Sequence, residues 1–238
     1  MMDAVTCAPA PLAPLHLEAL CHQLEHHMGT GIGVACTGVE GDPQRLWPVE
    51  HVVIRQAVPR RQREFAAGRT AARTAMARLG WPPSAIPSAP DRSPIWPDGL
   101  VGSIAHTSKV CVAIAGRRDR MCAMGIDVEE DTPPEPSLWE TICTPEELCT
   151  VATLPLSERG PWVTRLFCAK EAFYKWQYPQ TGRMLDFRDV QIDLNQRRSG
   201  FSVRRSRGGT VPVVTCRNEG HLITFQGQVL AWLIGEPA

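Results

Sequence analysis

Arg60 to Leu79 and Pro161 to Gln177 constrain this chain most, because each carries helical periodicity over several turns and each stands among short β-like runs. The first is rich in Ala and Arg and is closed by Gly80, with Pro82 just beyond, the chemistry of a helix end. The second presents Val163, Leu166, Phe167, Phe173 and Tyr174 as its apolar stripe. A shorter helix is predicted over His16 to Met28 from Leu17, Leu20, Cys21, Leu24 and Met28, and Gly29-Thr30-Gly31 stops it. Thr144-Pro145-Glu146-Glu147 reads as a capping box with proline at N1, so another helix starts there. Strands are predicted at Ile32 to Ala35, His51 to Val58, Gly102 to His106, Val110 to Ala115 and Ala123 to Glu129. Further strands are predicted at Val190 to Leu194, Phe201 to Arg205, Val211 to Cys216, Leu222 to Phe225 and Val229 to Ile234. One long helix and several strands in each half is an α+β (α/β) pattern. The boundary falls near Gly116-Arg117-Arg118-Asp119-Arg120, which gives an N-terminal half of 1–118 and a C-terminal half of 119–238.

Charge excludes several functions and then points to one. Lys plus Arg and Asp plus Glu are 25 each, so the formal net charge is zero. A neutral chain has no global pull toward nucleic acid or an anionic membrane. No apolar run is long enough for a membrane span, and the start lacks the pattern of a secretory signal, so the expected compartment is the cytoplasm. Nine cysteines, an odd number without C-x-x-C spacing, fit reduced and mostly buried thiols.

The zero is a sum of segregated parts. Seven arginines lie between Arg55 and Arg78 against the single acid Glu64. Eight acids and no base lie between Met121 and Glu147. Only three of the basic residues are lysines, Lys109, Lys170 and Lys175, and the last two are five residues apart. Arg61, Arg69 and Arg73 share one helix face, which would grip a multiply phosphorylated ligand through bidentate contacts. The plainer reading of that face is a solvated helix surface.

Three short segments carry chemistry. In Gly125-Ile126-Asp127-Val128-Glu129, strand alternation puts both carboxylates on one face. Paired carboxylates repel unless a cation intervenes, and hard oxygen ligands suit Mg²⁺ or Mn²⁺ bound together with substrate phosphates. In Lys170-Glu171-Ala172-Phe173-Tyr174-Lys175, Glu171 and Lys175 share a helix face, so a third carboxylate and two cations would complete a metal–phosphate site. In Gly102-Ser103-Ile104-Ala105-His106-Thr107, a histidine ends a strand where a phosphate would meet it. Two solvated acids, a surface ion pair and a structural histidine are the plainer readings of these segments. His22-Gln23-Leu24-Glu25-His26 also matches an inverted zinc-protease motif, but no third ligand accompanies it.

Taken in order, these residues resemble the phosphopantetheinyl transferases of the surfactin/enterobactin-synthase type. The series runs Arg61…Glu64-Phe65…Gly68-Arg69…Arg73, then Pro94-x-Trp96-Pro97-x-Gly99, Gly102-Ser103-Ile104-x-His106 and Gly125-Ile126-Asp127-x-Glu129. It continues with Phe167-Cys168-Ala169-Lys170-Glu171-Ala172-x-Tyr174-Lys175 and Thr181-Gly182…Leu185-Asp186-Phe187. The resemblance implies a monomer of two similar subdomains with coenzyme A (CoA) and Mg²⁺ in the cleft between them. It implies transfer of the 4′-phosphopantetheine arm to a serine of an acyl or peptidyl carrier protein, with adenosine 3′,5′-bisphosphate as the other product. Carriers of fatty-acid, polyketide and nonribosomal-peptide synthesis are all compatible partners.

By the same resemblance, Asp127, Glu129 and Glu171 hold the metal. Glu171 is also the favoured general base, and Lys175 steadies the leaving phosphate. Arg61, Arg69, His106 and Lys170 grip the CoA phosphates, and Ser103 and Thr107 touch the nucleotide. Relatives often carry a lysine in the loop before the Pro94-x-Trp96-Pro97 turn; here that loop offers Ser88, Asp91 and Arg92, and Arg92 is the candidate for the adenine or 3′-phosphate grip on CoA, while Cys168 stands where relatives often carry a serine and reads as a packing contact. Arg117, Arg118, Arg120, Arg197 and Arg198 would steer an acidic carrier. Two other readings use the same residues: a metal-dependent nuclease or phosphohydrolase, and a non-catalytic CoA- or nucleotide-binding module.

Overall fold

Residues Cys111–Arg117 form a strand buried on both faces, and the layering follows from its alternation. Cys111, Ala113 and Ala115 pack with Ala67, Ala71, Ala72 and Ala75 of a long helix, while Val112 and Ile114 pack the other way against Leu20, Leu24, Ile126, Leu230 and Trp232. The computed structural model describes residues 11–205 and 219–235. In chain order the elements are α1 (Pro14–Met28), β1 (Ile32–Thr37), α2 (Pro48–Ile54), α3 (Pro59–Arg78), β2 (Leu100–His106), β3 (Cys111–Arg117) and β4 (Ala123–Glu130). They continue with α4 (Trp139–Ile142), α5 (Pro145–Thr153), α6 (Leu156–Thr181), β5 (Val190–Leu194), β6 (Gly200–Arg205), β7 (Glu219–Phe225) and β8 (Gln228–Gly235).

Two antiparallel sheets result, one of three strands in the order β1-β3-β2 and one of five in the order β4-β8-β7-β6-β5. The architecture is α+β. Helix α3 covers one face of the first sheet and α6 one face of the second. The sheets meet where β2 runs beside β4, and Ser103 Oγ accepts a hydrogen bond from Ile126 N there at 3.1 Å. First-sheet, α1 and second-sheet residues share one core at this junction, so the cleft above it has a rigid floor.

Both long helices lie close on their sheets because small residues allow it. A Cβ on Gly125 of β4 would come within 2.1 Å of Ala172 O and 2.6 Å of Trp176 N on α6. Gly125→Ala is therefore expected to push α6 off β4, cost about 1–3 kcal/mol by overpacking, and lower turnover by spoiling the register of Asp127 with α6. Urea unfolding and a turnover assay on the same preparation check both effects.

Two predicted elements differ. His51 to Val58 is not a strand: its β-branched run lies in and just after α2, which starts at Pro48, with Trp47 N donating to Glu50 Oε2 at 2.9 Å. That proline-and-glutamate start outweighs β-propensity. The second long helix begins at Leu156 rather than Pro161, because a proline in the second turn removes only one hydrogen bond. The predicted strand Val211 to Cys216 lies outside the described residues. Every described cysteine is a free thiol; Cys21, Cys111, Cys143 and Cys168 are buried and Cys149 is exposed. No helix among the described residues is long and apolar enough to cross a membrane.

Candidate active site

Strand alternation along β4 turns Met124, Ile126 and Val128 into the shared core and leaves Asp127 and Glu129 on the side of α6. With the helix held close at Gly125, Lys175 Nζ reaches Asp127 Oδ1 at 2.6 Å. Glu171 lies one turn earlier on the same helix face. Burial lowers the Lys175 pKa, but the Asp127 charge and hydrogen bond outweigh it, so the ammonium is held above its ordinary value. Burial and then Asp127 push Glu171 up. The same two causes, in the same order, push Glu129 from 4.5 to about 7. Cys168 packs behind the acids, fully buried, with its thiol on Val229 O at 3.4 Å.

These acids bear on a metal. Among the described residues no three His, Cys, Asp or Glu side chains stand in ligating geometry. Asp127, Glu129 and Glu171 instead share one field, in which Lys175 neutralises a single oxygen. Asp127 Oδ2 is buried without a hydrogen-bond partner. Three mutually repelling carboxyl groups with an orphaned buried oxygen fit a hard divalent cation.

The Glu129 shift carries a sign. A carboxyl whose folded pKa lies above its unfolded value adds stability at low pH and loses it as pH rises through the folded pKa. Glu129→Gln is expected to raise the melting temperature of the metal-free protein at pH 8 and to leave it unchanged at pH 4. Paired thermal melts check this; a lower melting temperature at pH 8 would contradict it.

The arginine-rich side of α3 is paired within the fold at both ends, and at the first Arg60 and Arg61 meet Glu64 at 2.9 and 3.5 Å. Arg61 Nη1 donates to His106 Nε2 at 2.9 Å. A guanidinium can only donate, so the imidazole is neutral there with its proton on Nδ1, facing Thr107 O at 3.4 Å. Burial, then Arg61, holds the His106 pKa below its ordinary value, and the Lys175 charge also reaches it. Arg69 is buried, lies over the Phe65 ring, and donates to Ser88 Oγ at 2.9 Å. Its Nε is buried without a partner. Arg73 is engaged beneath, with Nη1 on Glu50 Oε1 at 2.8 Å.

A cleft of about 770 Å³ is lined from both halves, by Trp96, Ser103 and Ile104 on one side and by Met124, Lys175 and Tyr178 on the other. A second cavity of about 250 Å³, lined by Glu171, Phe173, Leu185 and Phe187, adjoins it at Tyr174 and Met184. The site thus comprises an arginine and histidine group, a cluster of carboxylates with one lysine, and a narrow slot beside the carboxylates.

Residues 49–116 match the 4′-phosphopantetheinyl transferase N-terminal domain and residues 123–226 the 4′-phosphopantetheinyl transferase superfamily. The chain is 35% identical over 206 residues to the 4′-phosphopantetheinyl transferase Svp of Streptomyces mobaraensis, covering 85% of this chain and 80% of that protein. The chain belongs to the 4′-phosphopantetheinyl transferase superfamily. The transferase PptT of Mycobacterium tuberculosis is 37% identical over 166 residues, which are 68% of this chain and 72% of PptT. Enterobactin synthase component D of Escherichia coli (strain K12) is 27% identical over 196 residues, 76% of this chain and 92% of that protein. This membership sets the enzyme class, a phosphopantetheinyl transferase.

Within the transferase, the fold brings Asp127, Glu129 and Glu171 into the field of Lys175, which lines the cleft, and the Lys175 charge reaches His106, which Arg61 holds. Three of the predicted contact residues have partners within the fold. Lys170 borders the smaller cavity rather than the cleft, and it is buried and donates to Ile142 O at 2.8 Å, Glu147 Oε2 at 2.7 Å and Phe187 O at 2.7 Å, which uses all three of its protons. Ser103 lines the cleft, but its hydroxyl is taken by the Ile126 backbone. Arg73 is neutralised by Glu50 and leaves the anion face to Arg61 and Arg69. Arg92 lines the cleft at an exposed turn with φ 72°, and Thr107 Oγ1 donates to Gln228 Oε1 at 2.7 Å across the junction of the halves.

The zinc-protease pattern dissolves, because Glu25 pairs with Arg78 and with His22 on the surface of α1. All three lysines of the chain pair with members of the acidic stretch, Lys109 with Glu130, Lys170 with Glu147 and Lys175 with Asp127. Sequence reasoning missed Glu50 and Glu147, the buried carboxylates beneath the site. The capping box had singled out Glu147 as a helix start, but no local signal marked it as the partner of Lys170.

Proposed function

We propose that this transferase moves the 4′-phosphopantetheine arm of CoA onto a serine hydroxyl of an apo carrier protein and releases adenosine 3′,5′-bisphosphate. The observation that carries this reading is the Asp127–Lys175 pair, with Glu171 and Glu129 in its field, at a cleft that Lys175 lines, together with the reach of the Lys175 charge to His106 on Arg61. A ligand with phosphates at both ends of an adenosine and a long thin arm suits such a site.

Asp127, Glu129 and Glu171 would hold Mg²⁺ or Mn²⁺. When bound, the ion draws charge from the pyrophosphate oxygens. Arg61, Arg69 and His106 bind the phosphates of the adenosine end, and the 250 Å³ slot beside Glu171 takes the arm. The serine oxygen attacks the phosphorus that bears pantetheine, and the bond from that phosphorus to the bridging oxygen breaks. The serine proton goes to Glu171, directly or through water; burial and Asp127 raise the Glu171 pKa above its ordinary value, which makes it a stronger base. Lys175 stays charged and stabilises the phosphate that leaves.

In this reading the halves divide the labour, 1–118 gripping phosphates and 119–238 holding metal and base within one chain. Arg118 lines the cleft, Arg198 pairs with Glu158 and Arg117 with Asp119, so Arg120 and Arg197 are the remaining candidates for steering an acidic carrier.

Incubation with an apo carrier, CoA and Mg²⁺, followed by chromatography, tests the products and the metal together. One adenosine bisphosphate should appear per carrier modified, and a chelator should stop both. Bisphosphate released without carrier modification would make the protein a hydrolase, and unchanged turnover in chelator would remove the metal.

A further inference from the structure

Between Ile86 and Ile95 the chain forms a small hairpin. Ser88 and Pro94 make an isolated β-bridge, Ala89 N donates to Ser93 O at 2.9 Å, and Ile95 N donates to Pro87 O at 2.8 Å. The hairpin is fastened at three points. At its base, Ile86 N donates to Glu50 Oε1 at 2.8 Å, on the fully buried carboxylate that also holds Arg73. Midway, Ser88 Oγ accepts from Arg69 at 2.9 Å. At its tip, Asp91 Oδ2 accepts from the Tyr178 hydroxyl at 2.6 Å, while Asp91 Oδ1 accepts from Ser93 N at 2.9 Å and Ser93 Oγ at 2.7 Å.

The first two fastenings lie within the N-terminal half. The third crosses the cleft to α6. Asp91, Trp96, Tyr174 and Tyr178 all line that cleft. The Tyr174 and Tyr178 rings stack with centroids 5.4 Å apart, which fixes where the Tyr178 hydroxyl points. A hairpin rigid at its base and middle is thus tied to the opposite wall by one exposed hydrogen bond, and Ser88 joins it to Arg69 of the anion face. That bond joins two residues that line the cleft from opposite halves.

We propose that Asp91 and Tyr178 form a latch that holds the hairpin across the adenosine end of bound CoA, and so sets how long CoA and adenosine bisphosphate stay in the cleft. They are positioning residues and take no part in the transfer of the arm. The proposal rests on the reading of the cleft as the CoA site.

Tyr178→Phe keeps the ring stack and removes only the hydroxyl. Stopped-flow displacement should show CoA leaving roughly three- to tenfold faster, the scale of one charge-assisted hydrogen bond at a wet rim. The KM for CoA should rise by a similar factor while kcat does not fall. Adenosine 3′,5′-bisphosphate should weaken like CoA, whereas phosphopantetheine, which lacks the adenosine, should bind as before. Adding Asp91→Asn to Tyr178→Phe should change little further, because the two groups act as one contact. Wild-type protein that binds neither CoA nor the bisphosphate overturns the site reading and the latch with it. Wild-type protein that binds both, with a Tyr178→Phe variant that holds them equally long, overturns the latch alone. A fall in kcat at unchanged KM also overturns it.

Discussion

Glu171→Gln should reduce kcat by roughly 10³-fold, within the span typical of a lost general base, and should leave the protein at least as stable as before. The two halves of this expectation have one cause. Burial and the neighbouring Asp127 already hold the Glu171 carboxyl above its ordinary pKa, so its negative charge is a cost to the folded state. A neutral amide of the same shape removes that cost. It also removes the proton acceptor and one of three hard oxygen donors. Steady-state kinetics at saturating CoA and a thermal melt at pH 8 check the pair of effects. Loss of stability together with activity would make Glu171 structural, and retained turnover would move the base elsewhere.

Lys170→Met should destabilise the fold by about 3–5 kcal/mol, the cost of stranding one member of a buried ion pair. Glu147 would remain buried, still accepting from Thr144 N and Ile192 N at 2.7 Å each but without its cation. Lys170 also closes the carbonyls of Ile142 and Phe187, so its loss loosens α4, α5 and the chain entering β5 at once. Denaturant unfolding measures the loss. The KM for CoA of the folded fraction should change little. A variant that folds normally yet binds CoA weakly would return Lys170 to the phosphate-gripping set.

Lys170 also explains how far the site was legible from sequence. Asp127 with Glu129, and Glu171 with Lys175, were readable because spacings of two on a strand and four on a helix fix a shared face. The same helix sends Lys170 round toward α5, where its acid lies 23 residues back in the chain. Residue type alone cannot tell a lysine facing the cleft from one beneath it. The hairpin latch is a stronger case, since Asp91 and Tyr178 are 87 residues apart and neither belongs to a motif. The long helices and most strands were legible because their patterns are local. His51 to Val58 was misread because its β-branched run outweighed Pro48 and Glu50 in the reading but not in the fold. The spacing of Arg61, Arg69 and Arg73 carries no sign of their partners, and only the tertiary fold shows that Glu50 claims Arg73.

The most direct test of the central claim is the intact mass of an apo carrier protein after incubation with this protein, CoA and Mg²⁺, with the modified residue located by fragmentation. A gain of one phosphopantetheine on a single serine, absent with Glu171→Gln, is the predicted result. No gain with carriers from fatty-acid, polyketide and nonribosomal-peptide synthesis, under conditions where the wild-type protein binds CoA, would contradict it.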